Sequence, residues 1–248
     1  MNVSIALLAA LVGYLCGSIS WARVVTRIFA PQKDITRTEI EVADSGEKLV
    51  MRSVSATTVS VQIGARLGFL TVVLDVLKIV IPALIFKRVW PDTPYLLIVA
   101  TTGMIGHIWP LYHGFKGGRG LSAVYAGMFA IDWIGVFATS LAGMVFGFFV
   151  LRDVLMTYMA GLWFFIPWLW FRTHDLRYLT YALAVNVIFL LAMIPDIKQY
   201  LKNKREGTGI GRSDWTQHTG MGRGLYKIGK RFGLLDDIVK DIEADDRK

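Results

Sequence analysis

The sequence predicts an all-α, polytopic integral membrane protein with about seven transmembrane helices, its N-terminus outside and its C-terminus cytoplasmic. Three observations carry this. Of 248 residues, 54% are hydrophobic and only 19% charged, which is far from the make-up of a soluble domain. The apolar residues gather into runs near the roughly 20-residue length that a bilayer core demands. The basic residues fall unevenly between those runs. Arg23, Arg27, Lys33, Arg37, Lys48, Arg52, Arg66, Lys116, Arg119, Arg152 and all bases from Lys198 onward fall to one side, and Lys87, Arg88, Arg172 and Arg177 to the other. That asymmetry obeys the positive-inside rule and requires an odd number of spans.

The first run covers about residues 3–25. No basic region precedes it, so it reads as a retained anchor and not as a cleaved signal peptide. The single cysteine, Cys16, excludes an internal disulfide framework and reads as packing within this run. A polar loop follows from about 30 to 66, mixing Asp34, Glu39, Glu41, Asp44 and Glu47 with its bases. It ends in the Ser/Thr-rich run from Ser53 to Ser60, which suits a strand, a helix cap or a ligand-facing loop. Further apolar runs cover about 67–86, 94–113, 121–151, 153–171 and 178–194. The fourth run, 121–151, is too long for one span, and dividing it near Asp132 gives 121–131 and 133–151, seven in all.

After Arg205 the chain turns glycine-rich (Gly207, Gly209, Gly211, Gly220, Gly222, Gly224), which predicts a flexible linker. A short amphipathic helix is expected beyond it. There Leu234, Leu235, Ile238, Val239 and Ile242 oppose Asp236, Asp237, Lys240 and Asp241, a face suited to lipid or to a protein partner. The net charge of +8 is explained by an anionic inner leaflet and does not call for nucleic acid. Nothing suggests a metal or a cofactor, since His107 and His113 are six apart with a proline between them. A transporter or channel built on Asp75, Lys78 and His107 would need repeated halves or a charged row along one span, and the sequence has neither.

The chemistry concentrates between Gly106 and Gly120. Gly117, Gly118 and Gly120 let the backbone turn several N–H groups toward one point, and Lys116 and Arg119 add charge. An apolar run begins at Leu121, so Gly120 is expected to open a helix whose N-terminus favours the same anion. The plainer alternative is a cationic loop that only sets orientation. Asp75 and Lys78, three apart, share a helix face; they either pair with each other or point into a polar cavity that supports the anion site. His107 is either a hydrogen-bonded packing residue or a general base.

Tyr14 to Ile19, Ser55 to Thr58, Leu74 to Lys78 with Ile81 to Leu84, and above all Gly106 to Gly120 occur in the order found in the PlsY-type acyl-phosphate:glycerol-3-phosphate acyltransferases, which the chain resembles over about residues 1–203. The resemblance implies a membrane domain at 1–203 with a polar loop inserted at about 38–52, followed by an added linker and tail at 204–248. It also implies a multi-pass protein of the cell membrane acting in phospholipid biosynthesis, with a site open to the cytoplasm. There an acyl group would pass from acyl phosphate to glycerol 3-phosphate, giving lysophosphatidic acid.

By that resemblance Lys116 and Arg119 are the catalytic cations, and Gly117, Gly118, Gly120, Ser53, Ser55, Thr57, Thr58 and Asp196 bind substrate phosphate. His107, Asp75 and Lys78 support them. Several family positions differ. The family's serine falls at Met51, its asparagines at Ser53 and Thr58, its glycine at Ser55 and its arginine at Val61, with Arg52 and Arg66 as neighbouring bases. Near the C-terminus its histidine falls at Met193 and its asparagine at Asp196. These exchanges leave a second reading open, a catalytically inactive relative that binds lipid or acyl phosphate as a regulator or scaffold.

Overall fold

The computed structural model describes residues 1–36, 38–41, 48–51, 53–206 and 220–233. Its helices are α1 (Val3–Gly17), α2 (Trp21–Phe29), α3 (Ala56–Gln62), α4 (Ala65–Val89), α5 (Tyr95–Ile108), α6 (Leu121–Ile131), α7 (Trp133–Val145), α8 (Val154–Thr173), α9 (Leu176–Glu206) and α10 (Gly220–Arg231). A π-helical turn, Phe146–Val150, extends α7. The membrane part is all-α as expected. The polar loop adds a small exception: strand β1 (Thr38–Glu41) pairs antiparallel with β2 (Lys48–Met51), Thr38 opposite Met51.

Among the described residues, six helical segments are long and apolar enough to cross a membrane: Val3–Phe29, Ala65–Val89, Tyr95–His113, Trp133–Val150, Val154–Thr173 and Leu176–Asn203. The shorter apolar helix Leu121–Ile131 joins them, and the division expected at Asp132 is where α6 ends and α7 begins. Asp132 is the C-cap of one helix and the N-cap of the next. Its carboxylate accepts from the Ile134 N–H at 3.2 Å, Trp168 Nε1 at 3.0 Å and Arg172 Nε at 2.9 Å. A charge that would interrupt an apolar helix here terminates two of them and ties the corner to α8.

Fully buried Tyr95, Ile79, Met104, Met128, Leu162 and Phe165 fill the centre. Phe69, Phe137, Phe171 and Val187 point outward and stay exposed, an apolar exterior that suits lipid and would aggregate in water. The helices α1 and α5 pack closely, and small residues make the approach. A Cβ on Gly17 would strike the backbone of Gly103, and one on Gly106 would strike Tyr14 and Ser18. Without a hydrophobic force between helices in lipid, such backbone proximity supplies the packing. The same device recurs where Gly143 of α7 meets the backbone of Gly161 on α8.

Two expectations are corrected. The first run is not one helix, because α1 stops at Gly17 and α2 starts at Trp21. At the break the Ser18 hydroxyl donates to Tyr14 O (2.8 Å) and accepts from the Leu111 N–H (3.2 Å), tying the end of α1 to the segment after α5. At the C-terminal end, Gly220, Gly222 and Gly224 belong to α10 and not to a linker. Glycine weakens a helix by about 1 kcal/mol relative to alanine, and α10 offsets this by burying Leu225 with Phe148 beside the π turn. Gly207, Gly209 and Gly211, and the helix expected at Leu234 to Ile242, lie outside the described residues.

Candidate active site

The break between α1 and α2 leaves the Ile19 carbonyl to a side-chain partner, and the site is built around it. Lys78, buried on α4, donates from Nζ to the Ile19 carbonyl at 2.7 Å and to Asp75 Oδ1 at 2.7 Å. Its third neighbour is His107 Nδ1 on α5, at 3.1 Å. An ammonium has three donors and no acceptor, and the same His107 Nδ1 also lies 3.7 Å from Asp75 Oδ1. The Nε2 edge of the ring faces the glycine turn, because a Cβ on Gly118 would collide with Nε2. Asp75 and Lys78 therefore pair, and the pair also lines a cavity of about 10 Å³ among Ser18, Ile19, Asp75, Lys78, His107 and Gly118, room for roughly one water molecule.

The turn from Pro110 to Gly120 closes over this cluster. Gly114 and Phe115 both adopt positive φ (58° and 60°), which reverses the chain after a short 3-10 turn. Gly120, at φ 92°, is the N-cap of α6, so the expected helix opening after the turn is where the motif puts it. Besides the Leu111 N–H bond to Ser18 Oγ and bonds within the turn, three more hold its second half. The Gly118 N–H donates to His107 O (3.1 Å), the Val54 N–H donates to Gly117 O (3.2 Å), and Arg23 Nη2 donates to Lys116 O (2.7 Å). Lys116 itself is exposed. Gly118 was expected to offer its N–H to a phosphate, and that N–H is already engaged; its glycine identity serves close packing on His107.

Of the Ser/Thr run, Ser55 and Thr58 form a reciprocal capping box at the start of α3. Capping, one of the three roles open to this run, is the one realised there, and the buried Thr58 hydroxyl is fully used by it. Thr57 is exposed. Ser53 differs: its Oγ is buried and lacks a hydrogen-bond partner among the described residues, as does Arg119 Nε. Arg119 Nη2 donates to Asp196 Oδ1 at 2.9 Å, the two side chains being 30% and 29% exposed. A carboxylate only accepts hydrogen bonds, so Asp196 acts toward Arg119 as a counter-ion and is not a phosphate donor. Val61 is half exposed and Met193 is buried in the core. Met51 lies on β2, and Arg52 is outside the described residues.

The structure thus brings Arg119, Asp196, Ser53, Lys116 and His107 to one end of the bundle and assigns Ser55 and Thr58 to capping. Sequence reasoning missed Arg23 and the Ile19 carbonyl. Arg23 was counted only as a loop charge, and a carbonyl freed by a break within an apolar run carries no residue-type signal.

A helical bundle with an apolar exterior, and a cationic glycine turn over buried polar groups at one end, defines a multi-pass membrane protein. The glycerol-3-phosphate acyltransferase family profile matches residues 7–203, and the chain belongs to that family. It is 34% identical over 139 residues to a glycerol-3-phosphate acyltransferase of Anaeromyxobacter sp. (strain K), covering 54% of this chain and 60% of that one. One from Campylobacter jejuni subsp. doylei is 27% identical over 197 residues, covering 76% and 91%. The chain therefore spans only 60% of the length of the first of these relatives. Its fold is similar to the crystal structure of PlsY (YgiH), an integral membrane glycerol 3-phosphate acyltransferase, in its glycerol 3-phosphate form. The TM-score is 0.65 at 24% identity, over 82% of this chain and 94% of that one.

Proposed function

We propose that this protein is an acyl-phosphate-dependent glycerol-3-phosphate acyltransferase of the cell membrane, with its N-terminus outside and the turn at Lys116 to Gly120 open to the cytoplasm. The observation that carries this reading is the turn itself: a cationic loop held at Lys116 O, Gly117 O and the Gly118 N–H, with Arg119 Nε and Ser53 Oγ buried beside it and unpartnered among the described residues. Buried polar groups of this kind call for a ligand.

In the proposed reaction the first hydroxyl oxygen of glycerol 3-phosphate attacks the acyl carbonyl carbon of acyl phosphate. The new ester bond forms as the carbon–oxygen bond to phosphate breaks, and inorganic phosphate leaves carrying the hydroxyl proton. No acyl-enzyme is required. Lys116 and Arg119 supply positive charge to the departing phosphate, the α6 N-terminus adds its partial charge, and catalysis comes from alignment and charge stabilisation. Asp75, Lys78 and His107 keep the floor of the turn rigid.

Purified protein supplied with acyl phosphate and glycerol 3-phosphate is expected to form lysophosphatidic acid and release phosphate in equal amounts. Lys116→Ala should lower kcat/KM by roughly 100-fold or more, the scale of removing a charge-stabilising donor. Thermal stabilisation by either substrate without phosphate release would instead identify a non-catalytic binder.

A further inference from the structure

Helix α10 lies beyond the segment shared with the family, and its surface is divided in a way the rest of the chain does not explain. Leu225, Ile228 and Phe232 follow an i, i+3, i+7 spacing and share one face. Only part of that face rests on protein. Leu225 is 4% exposed, clustered with Phe148, Phe149 and Val154, whereas Ile228 and Phe232 are 52% and 69% exposed. Lys227, Lys230 and Arg231 occupy the opposite arc and are all exposed, and the helix sequence from Gly220 to Arg231 contains no acidic residue.

Its seat gives the depth at which this face lies. Phe148 closes the span Trp133–Val150 and Val154 opens the span Val154–Thr173, so α10 rests where two spans leave the membrane. Following the chain through α6, α7, α8 and α9, this is the same end as the Lys116 to Gly120 turn. Apolar side chains projecting from that level meet the boundary between headgroups and acyl chains, and bases beside them meet the headgroups.

We infer that α10 is an interfacial lipid-binding helix, in which Ile228 and Phe232 enter the acyl boundary while Lys227, Lys230 and Arg231 hold the phosphates of anionic phospholipids. The stripe of Leu225, Ile228 and Phe232 is covered along one edge by the protein and along the other by the bilayer. The bare cationic arc selects negative lipid over neutral lipid.

The test uses the full-length protein in bilayer nanodiscs of phosphatidylcholine, with or without phosphatidylglycerol, on a Cys16→Ser background. A small fluorophore is attached at Ile228→Cys or, separately, at Lys227→Cys. With phosphatidylglycerol present, shallow spin-labelled lipids should quench the probe at 228 several-fold more strongly than the probe at 227, and iodide should show the reverse preference. Lys230→Glu with Arg231→Glu should reduce the lipid quenching at 228 to the level seen in phosphatidylcholine alone. Equal iodide quenching at both positions would overturn the proposal, since the helix would then hang in water. Protection of 228 from both quenchers would also overturn it, because protein would cover the face. Lipid quenching at 228 that ignores phosphatidylglycerol would overturn the anionic selectivity.

Discussion

Lys78 shows how much a single side chain decides here. Its ammonium, nearly excluded from solvent together with Asp75, joins α4 to the broken end of α1 and to α5. Removing one partner of a buried ion pair strands the other and costs about 3 to 5 kcal/mol. Lys78→Met is therefore expected to lower the midpoint of thermal unfolding in detergent sharply, and Asp75→Leu combined with Lys78→Met to recover most of the loss. Arg119 and Asp196 behave differently, because solvent reaches both; a pair of this exposure contributes at most about 1 kcal/mol. Asp196→Asn should leave stability almost unchanged while freeing the guanidinium, so KM for acyl phosphate should fall several-fold in steady-state kinetics. An unchanged or higher KM would remove Asp196 as a competitor for Arg119.

At the scale of elements, backbone proximity and one carboxylate set the helix arrangement. Gly17→Leu forces a side chain into the backbone of Gly103, and overpacking of this sort costs about 1 to 3 kcal/mol or more. Separation of α1 from α5 should appear as loss of the monodisperse peak in size-exclusion chromatography. Asp132 carries an acid-sensitive corner. Burial pushes its carboxyl up, but hydrogen bonds from Arg172 and Trp168 outweigh this and hold it below the ordinary 3.8. A group depressed on folding stabilises the fold above its unfolded value, and that stabilisation is lost as pH falls through the lowered folded value. The α6–α7 corner should thus loosen only in acid, below about pH 4, and Asp132→Asn should flatten that part of the stability profile measured by thermal unfolding.

For the molecule as a whole, the charge asymmetry makes a claim about sidedness. Lys87, which donates to Ala130 O, lies with Arg172 and Arg177 at the end of the bundle opposite the Lys116 turn. On intact cells a membrane-impermeant thiol reagent should label Arg172→Cys and spare Lys202→Cys, each on a Cys16→Ser background; the opposite pattern would invert the proposed orientation. Much of this architecture was legible beforehand. Apolar run length marked every long span, because hydrocarbon tolerates only satisfied backbone over its full thickness, and Asp132 stood out as the one charge inside an overlong run. The interruption at Ser18 was not legible, since Gly17-Ser18-Ile19-Ser20 is apolar enough to pass for continuous helix.

Local chemistry let the sequence by itself determine that the chain is a multi-pass helical membrane protein with a cationic glycine turn opening a helix, because apolar length, glycine and charge act over a few residues. Only the tertiary structure decided what each candidate group does there. It assigned Thr58 to a helix cap, Gly118 to packing on His107, Asp196 to Arg119, and Arg23 and the Ile19 carbonyl to the frame of the turn. Those roles depend on which donors meet which acceptors across elements as far apart in sequence as α1, α5 and α9. Spacing along a chain cannot encode that pairing, which arises when buried polar groups must find partners within the packed bundle.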